Sequence, residues 1–249
     1  MKTIAIVNQK GGVAKTTTAQ AVGAALQRKG YRVLFCDLDS QCNLSWAAGA
    51  DPQTAGSMDL LKGLPYEIQH TPQGDIIAGS PALAAADTML TQQGKEDLLK
   101  KALDKQKRKY DYCIIDTAPA LGVLTINALT AADAAVIPAL ADGFSLQGIN
   151  QLVGTIQAVQ KYCNPKLRIA GIVLTRYNRR TILSRDVTAI LEDAAHQLST
   201  RLFDTRISPC NALSEAQAKH STIYSYAPRS KAAAEYTALT DEIIKEMES

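Results

Sequence analysis

No stretch of this sequence approaches the roughly 18 consecutive apolar residues of a membrane-spanning helix, so none is expected. Aromatic residues make up only 5% of the chain, while alanine is abundant. That balance suits helices packed closely on a sheet and argues against a β-sandwich. The five cysteines, Cys36, Cys42, Cys113, Cys163 and Cys210, are odd in number and contain no C-x-x-C pair. A disulfide framework and a zinc site are therefore disfavoured, and buried or half-buried free thiols are expected. Neither sign of charge dominates: a net charge of +3 permits contact with nucleic acid without requiring it. The N-terminal MKTIAIVNQKGG has one early lysine and a short apolar run, too little for a signal peptide, so a cytoplasmic location is expected. Internal repeats and low-complexity segments are also missing.

What is present is the composition of a soluble globular protein, 46% hydrophobic and 20% charged over 249 residues. The organising stretch is residues 10–17, KGGVAKTT. It follows the apolar run Ile4-Ala5-Ile6-Val7 and opens a segment of helical periodicity. Two glycines, a lysine and a hydroxyl between a strand and a helix form an arrangement that holds nucleotide phosphates. Backbone N–H groups at Gly11 and Gly12 can approach oxyanions because no Cβ intervenes. The positive end of the following helix dipole points to the same place. Lys15 would neutralise phosphate charge, and Thr16 would offer its hydroxyl to Mg²⁺. The pattern departs from G-x-x-x-x-G-K-[ST]: Gln9 and Ala14 stand at the two glycine positions, and a second lysine, Lys10, precedes the glycine pair.

The remaining chain alternates short apolar runs with helical periods. A helix is expected over about Thr16–Lys29, with Gly30 ending it. Val33-Leu34-Phe35-Cys36 reads as a strand buried on both faces. It leads into Asp37 and Asp39, whose carboxylates can reach Mg²⁺ or a water near a γ-phosphate; a cap on the following turn is the plainer alternative. Residues 44–80 read as an excursion at the sheet edge, and residues 95–109 as a strongly basic helix with Leu98, Leu99 and Leu103 inward. The strand Tyr112-Cys113-Ile114-Ile115 ends at Asp116, a Walker B arrangement in which the carboxylate would hold Mg²⁺ through water. Further strands are expected at Ala134–Pro138 and Ile169–Leu174, with helices over about Ser145–Tyr162, Thr181–Leu198 and Lys231–Met247. This alternation implies one α/β domain over residues 1–249, with a doubly wound, mostly parallel sheet and helices on both faces. Residues 166–185 carry Lys166, Arg168, Arg176, Arg179, Arg180 and Arg185 without an acid. Arg179 and Arg180 fall in a loop from which they could reach a nucleic-acid backbone, or they could be ordinary solvated side chains.

These motifs together resemble the ParA/Soj partition ATPases of the deviant Walker A group, which also contains the MinD-like proteins. KGGVAKTT is similar to that group's KGGxGKT[TS], DLDSQCN at 37–43 to its D-x-D-P-Q-x-N, and IIDTAP at 114–119 to its Walker B. LTINALTAAD at 124–133, LSEA at 213–216 and PRS at 228–230 fall where the family places them. The resemblance implies a P-loop NTPase that hydrolyses ATP with Mg²⁺, its nucleotide held by Lys10, Gly11, Gly12, Val13, Ala14, Lys15, Thr16 and Thr17. Lys10 would be the signature lysine that crosses an ATP-dependent homodimer to the partner's phosphates. Asp39 would position the attacking water, Thr16 and Asp116 would hold the metal, and Asp37 would organise it. It further implies non-specific DNA binding through Arg180, a nucleoid-associated location and a ParB-like activator. A second family arginine is replaced by Ala212, with Arg206 or Lys219 as the nearby cations. The alternative within the superfamily is a MinD-like or protein-cargo-positioning ATPase. A tail from Lys231 with two lysines against five acids argues against membrane attachment.

Overall fold

The computed structural model describes residues 1–178, 182–197 and 199–248, with the main chain alone for 144–147, 182–186 and 197. The chain opens with β1 (Lys2–Ile6), α1 (Lys15–Arg28) and β2 (Val33–Leu38). An excursion follows, with α2 (Asn43–Ala48), α3 (Ser57–Leu61) and a hairpin of β3 (Gln69–Thr71) and β4 (Gly74–Ile77). Then come α4 (Ala86–Met89), α5 (Leu98–Asp104), β5 (Tyr112–Thr117), α6 (Val123–Ala131) and β6 (Ala134–Leu140). The remainder is α7 (Gly143–Tyr162), β7 (Arg168–Thr175), α8 (Ile182–Gln197), α9 (Asn211–Ala218), α10 (Ile223–Tyr226) and α11 (Lys231–Glu248).

The strands form one seven-stranded sheet in the order β3-β4-β2-β5-β1-β6-β7. Every pairing is parallel except β3 with β4. Because strand side chains alternate, each apolar run feeds two cores. Ala5, Leu34, Cys36, Cys113, Ile115 and Ile137 face one, covered by α5, α6 and α7. Ile4, Ile6, Phe35, Tyr112, Ile114 and Val136 face the other, covered by α1 and α11. This is the doubly wound arrangement expected from the alternating pattern. Gly23 lets α1 approach the sheet: a Cβ there would meet the Phe35 ring at 2.1 Å.

α11 lays Ala232, Tyr236, Leu239, Ile243 and Met247 into that second core. Burying each of the larger side chains contributes about 1.5–3 kcal/mol, so the apolar face of α11 is committed to holding the fold. Among the described residues no helix is long and apolar enough to cross a membrane.

The basic helix over 95–109 is a correction. Only Leu98–Asp104 is α-helical, preceded by a 3-10 turn at Lys95–Asp97. Leu99 and Leu103 are buried, and Leu98 is half-buried. After Leu103 no apolar residue continues the seam until Tyr110, so the helix tightens through i→i−3 bonds from Lys105 and Gln106 and the chain turns toward β5. The excursion is more regular than its glycines and prolines suggest, and β4 joins the sheet parallel to β2. Leu202 makes an isolated parallel bridge to Ile172.

Candidate functional site

The parallel strands β1, β2, β5, β6 and β7 all end at one edge of the sheet, and β1 lies where the chain's winding reverses. Open α/β sheets bind ligands in the crevice at such a point. Residues 7–14 join β1 to α1 there. Gly12 has φ 72°, and a Cβ added at Gly11 or Gly12 would meet nothing within 4 Å, so the loop presents open space beside bare backbone. Ala14 is also left-handed, at φ 66° and ψ 35°. This settles the geometry at that position: it requires positive φ, and alanine supplies it at a local cost of about 1–2 kcal/mol. No side chain caps the start of α1, and no acidic residue sits in its first turn. Its N–H groups and dipole therefore face the crevice ready for an anion.

Side chains from distant strands pin this loop. Buried Asn8 donates from Nδ2 to the Pro138 carbonyl at 2.6 Å and accepts the Lys10 N–H at 2.9 Å. The Thr175 hydroxyl lies 3.0 Å from the Val13 carbonyl oxygen. The Lys10 ammonium pairs with Asp142 of the same chain at 2.5 Å. Lys15 is buried and donates from Nζ to the Lys10 carbonyl at 3.1 Å. Burial lowers the Lys15 pKa, while the charges of Asp116 and Asp39 oppose that shift.

On the other side of β1 lie the acids. Asp37 and Asp116 are register partners on β2 and β5 and are fully buried. Asp37 is occupied: Oδ1 accepts the Asp39 N–H at 3.0 Å, and Oδ2 accepts Ser45 N–H at 2.9 Å and Ser45 Oγ at 2.7 Å. It thus ties the end of β2 to the first turn of α2. Burial raises its pKa, and the Ser45 bonds offset part of that rise. Asp39 accepts the Gln41 N–H at 2.9 Å and lines the crevice.

Asp116 differs, because neither of its oxygens completes a hydrogen bond of ordinary geometry. The Thr16 hydroxyl and Lys15 lie close enough to favour its charged form, but burial and the charge of Asp37 push its pKa well above the usual carboxylate range. An orphaned buried carboxylate beside a hydroxyl fits a hard divalent cation. Among the described residues no group of three or more His, Cys, Asp or Glu could hold a metal unaided. Magnesium suits this sparse set, because it takes one or two carboxylates and completes its shell with phosphate oxygens and water.

Gly11, Gly12, Ala14, Lys15, Thr16, Thr17 and Asp39 line one cavity of about 690 Å³. That is an ordinary size for a small-molecule site. Sequence reasoning did not place Thr175, Arg176 or Trp46 there, yet all line it. The stretch Ile207–Cys210 also builds a wall of the cavity. A second cleft, of about 400 Å³, is lined by Arg168, Gln157 and Arg201 at the opposite sheet edge, far from the phosphate loop. Arg179 and Arg180, the expected nucleic-acid contacts, lie outside the described residues. Ala212 packs at the margin of the α1 core. Arg206 is tucked toward Glu192 at 3.7 Å with its side chain 20% exposed, so it does not stand out as a replacement cation; Lys219 is exposed.

Residues 1–169 match the family model described as an AAA domain. The sporulation initiation inhibitor protein Soj of Bacillus subtilis is 38% identical over 97% of this chain and 98% of its own length. This chain belongs to the ParA/Soj family of partition ATPases. The chromosome-partitioning ATPase Soj of Thermus thermophilus is likewise 38% identical, over 98% of this chain and 96% of that one. Among solved structures, cobyrinic acid a,c-diamide synthase from Mycobacterium smegmatis with bound ATP analog and magnesium is similar at TM-score 0.86 and 34% identity. That match covers 100% of this chain and 96% of the other. Membership of the ParA/Soj family makes the chain a P-loop ATPase.

Proposed function

We propose that this chain is a DNA-segregation ATPase that dimerises on ATP, binds DNA without sequence preference and hydrolyses ATP slowly until a ParB-like partner accelerates it. The observation that carries the nucleotide reading is Asp116, orphaned beside Thr16 beneath an open glycine cradle. Gly11, Gly12 and the first turn of α1 hold phosphate oxygens, while Val13 and Ala14 shape the loop and Thr17 borders the cavity. Lys15 sets its charge against the β- and γ-phosphates. Magnesium, held by Thr16 and Asp116 and organised by Asp37, supplies charge neutralisation at those phosphates. Asp39 orients the attacking water, because transfer of a phosphoryl group to water depends on positioning and electrostatics.

Lys10 must leave Asp142 to reach the phosphates of a second copy, so dimerisation and ATP binding form one linked equilibrium. Arg179 and Arg180 supply DNA contacts. The buried apolar face of α11 supports a role away from the membrane. The test is ATP turnover and DNA binding across a salt series, for the wild type, Asp39→Ala and Arg180→Ala. Slow magnesium-dependent turnover is expected in the wild type. Asp39→Ala should lose roughly 10²–10⁴-fold in rate while still dimerising on ATP. DNA binding should require ATP, weaken as salt rises and weaken further in Arg180→Ala. A wild type that binds no nucleotide, or that ignores DNA when loaded with ATP, refutes the proposal.

A further inference from the structure

Ala14 keeps a left-handed backbone at φ 66° with no side-chain cap on the helix it starts. An L-residue persists in that region only where its surroundings over-determine it. One side chain acts on the peptide directly. The Thr175 hydroxyl, in a residue only 1% exposed, lies 3.0 Å from the Val13 carbonyl oxygen and 3.2 Å from the Ala139 carbonyl oxygen. The Val13 oxygen belongs to the peptide plane that joins Val13 to Ala14, so fixing that oxygen fixes the rotation that sets φ of Ala14. The anchor is itself rigid: Thr175 closes β7 and pairs in register with Leu140 at the end of β6. Its reach is long in sequence, 162 residues from Val13.

We propose that Thr175 is a positioning residue for nucleotide binding, holding the Val13–Ala14 peptide so that the N–H groups behind it face the phosphates. A glycine at position 14 adopts positive φ without a Cβ penalty, so the hydroxyl is dispensable there. With alanine in place it is required. The role rests on the nucleotide-binding reading above. It predicts coupling between two residues, which direct contact of Thr175 with ligand does not.

The test is a double-mutant cycle of Thr175→Val and Ala14→Gly, read as affinity for a fluorescent non-hydrolysable ATP analogue with magnesium. Thr175→Val should weaken binding about tenfold in the alanine background and less than about threefold in the glycine background. Thr175→Ser, which keeps the hydroxyl, should stay within about twofold of the wild type. Equal losses in both backgrounds, or no loss in either, overturn the proposal. If Thr175→Val alone melts early, the double variant should recover its melting temperature; a double variant as unstable as the single overturns it too. Loss of binding in all four proteins would instead contradict the nucleotide-binding reading.

Discussion

The two flanks of the phosphate loop are built on opposite terms. Toward β6 and β7 the anchors are satisfied within the chain: Asn8 on Pro138 and Thr175 on Val13. Toward β2 and β5 the acids crowd together, and one of them, Asp116, completes no hydrogen bond of ordinary geometry. Buried polar groups are almost always paired, because leaving one unpaired costs about 1–3 kcal/mol and more when it is charged. The satisfied flank is therefore scaffold, complete without ligand. On the proposed function, the unsatisfied flank is the half-site that a metal and a nucleotide would complete. Asp37 marks the boundary: it lies beside Asp116 in the sheet, yet its oxygens are spent on Asp39 and Ser45.

The strongest way to break this contrast is Asp116→Asn. It should lower magnesium-dependent ATP turnover by roughly 10²-fold or more, because the metal loses its protein carboxylate. The same change should raise the stability of the metal-free protein by about 1–3 kcal/mol, since folding no longer has to desolvate or protonate a carboxylate whose pKa burial raises. Denaturant melts in EDTA read that gain; a destabilised variant would place Asp116 with the scaffold instead.

A smaller effect sharpens the boundary. Ser45 Oγ donates to Asp37 and accepts the Gly79 N–H at 2.7 Å, so Ser45→Ala takes one bond from Asp37 and strands the buried Gly79 N–H. It should cost about 1–3 kcal/mol of stability while shifting the magnesium dependence of turnover by less than about threefold. A large shift in that dependence would move Asp37 into the metal's own ligand shell.

The legible parts of this protein were those written locally. The glycine loop between β1 and α1, the strand ending at Asp116 and the alternation that winds the sheet all lie in short consecutive stretches. Their physics, open glycine backbone and period-two burial, depends on near neighbours. Ala14 could be singled out as standing at a glycine position of the pattern, and its positive φ came from the structure.

The anchors were not legible, because each bridges more than a hundred residues: Asn8 to Pro138, Lys10 to Asp142, Thr175 to Val13. No periodicity links such pairs. The basic segment failed for a different reason. Charge continued past Leu103 but the apolar seam did not, and the seam sets helix length. Asp37 and Asp39 carried one expectation as a pair, since spacing two apart puts both on one strand face. Ser45, arriving from α2, separates their surroundings.

The central claim is that the acidic flank is unfinished until metal and nucleotide arrive together. Thermal unfolding of the wild-type protein in EDTA, with magnesium alone, with ADP alone and with both tests it most directly. The account predicts small shifts from either alone and a joint stabilisation well above their sum, reaching about 2.7 kcal/mol at a hundredfold excess over Kd. Joint stabilisation no greater than the sum, or a full shift from ADP in EDTA, would contradict it.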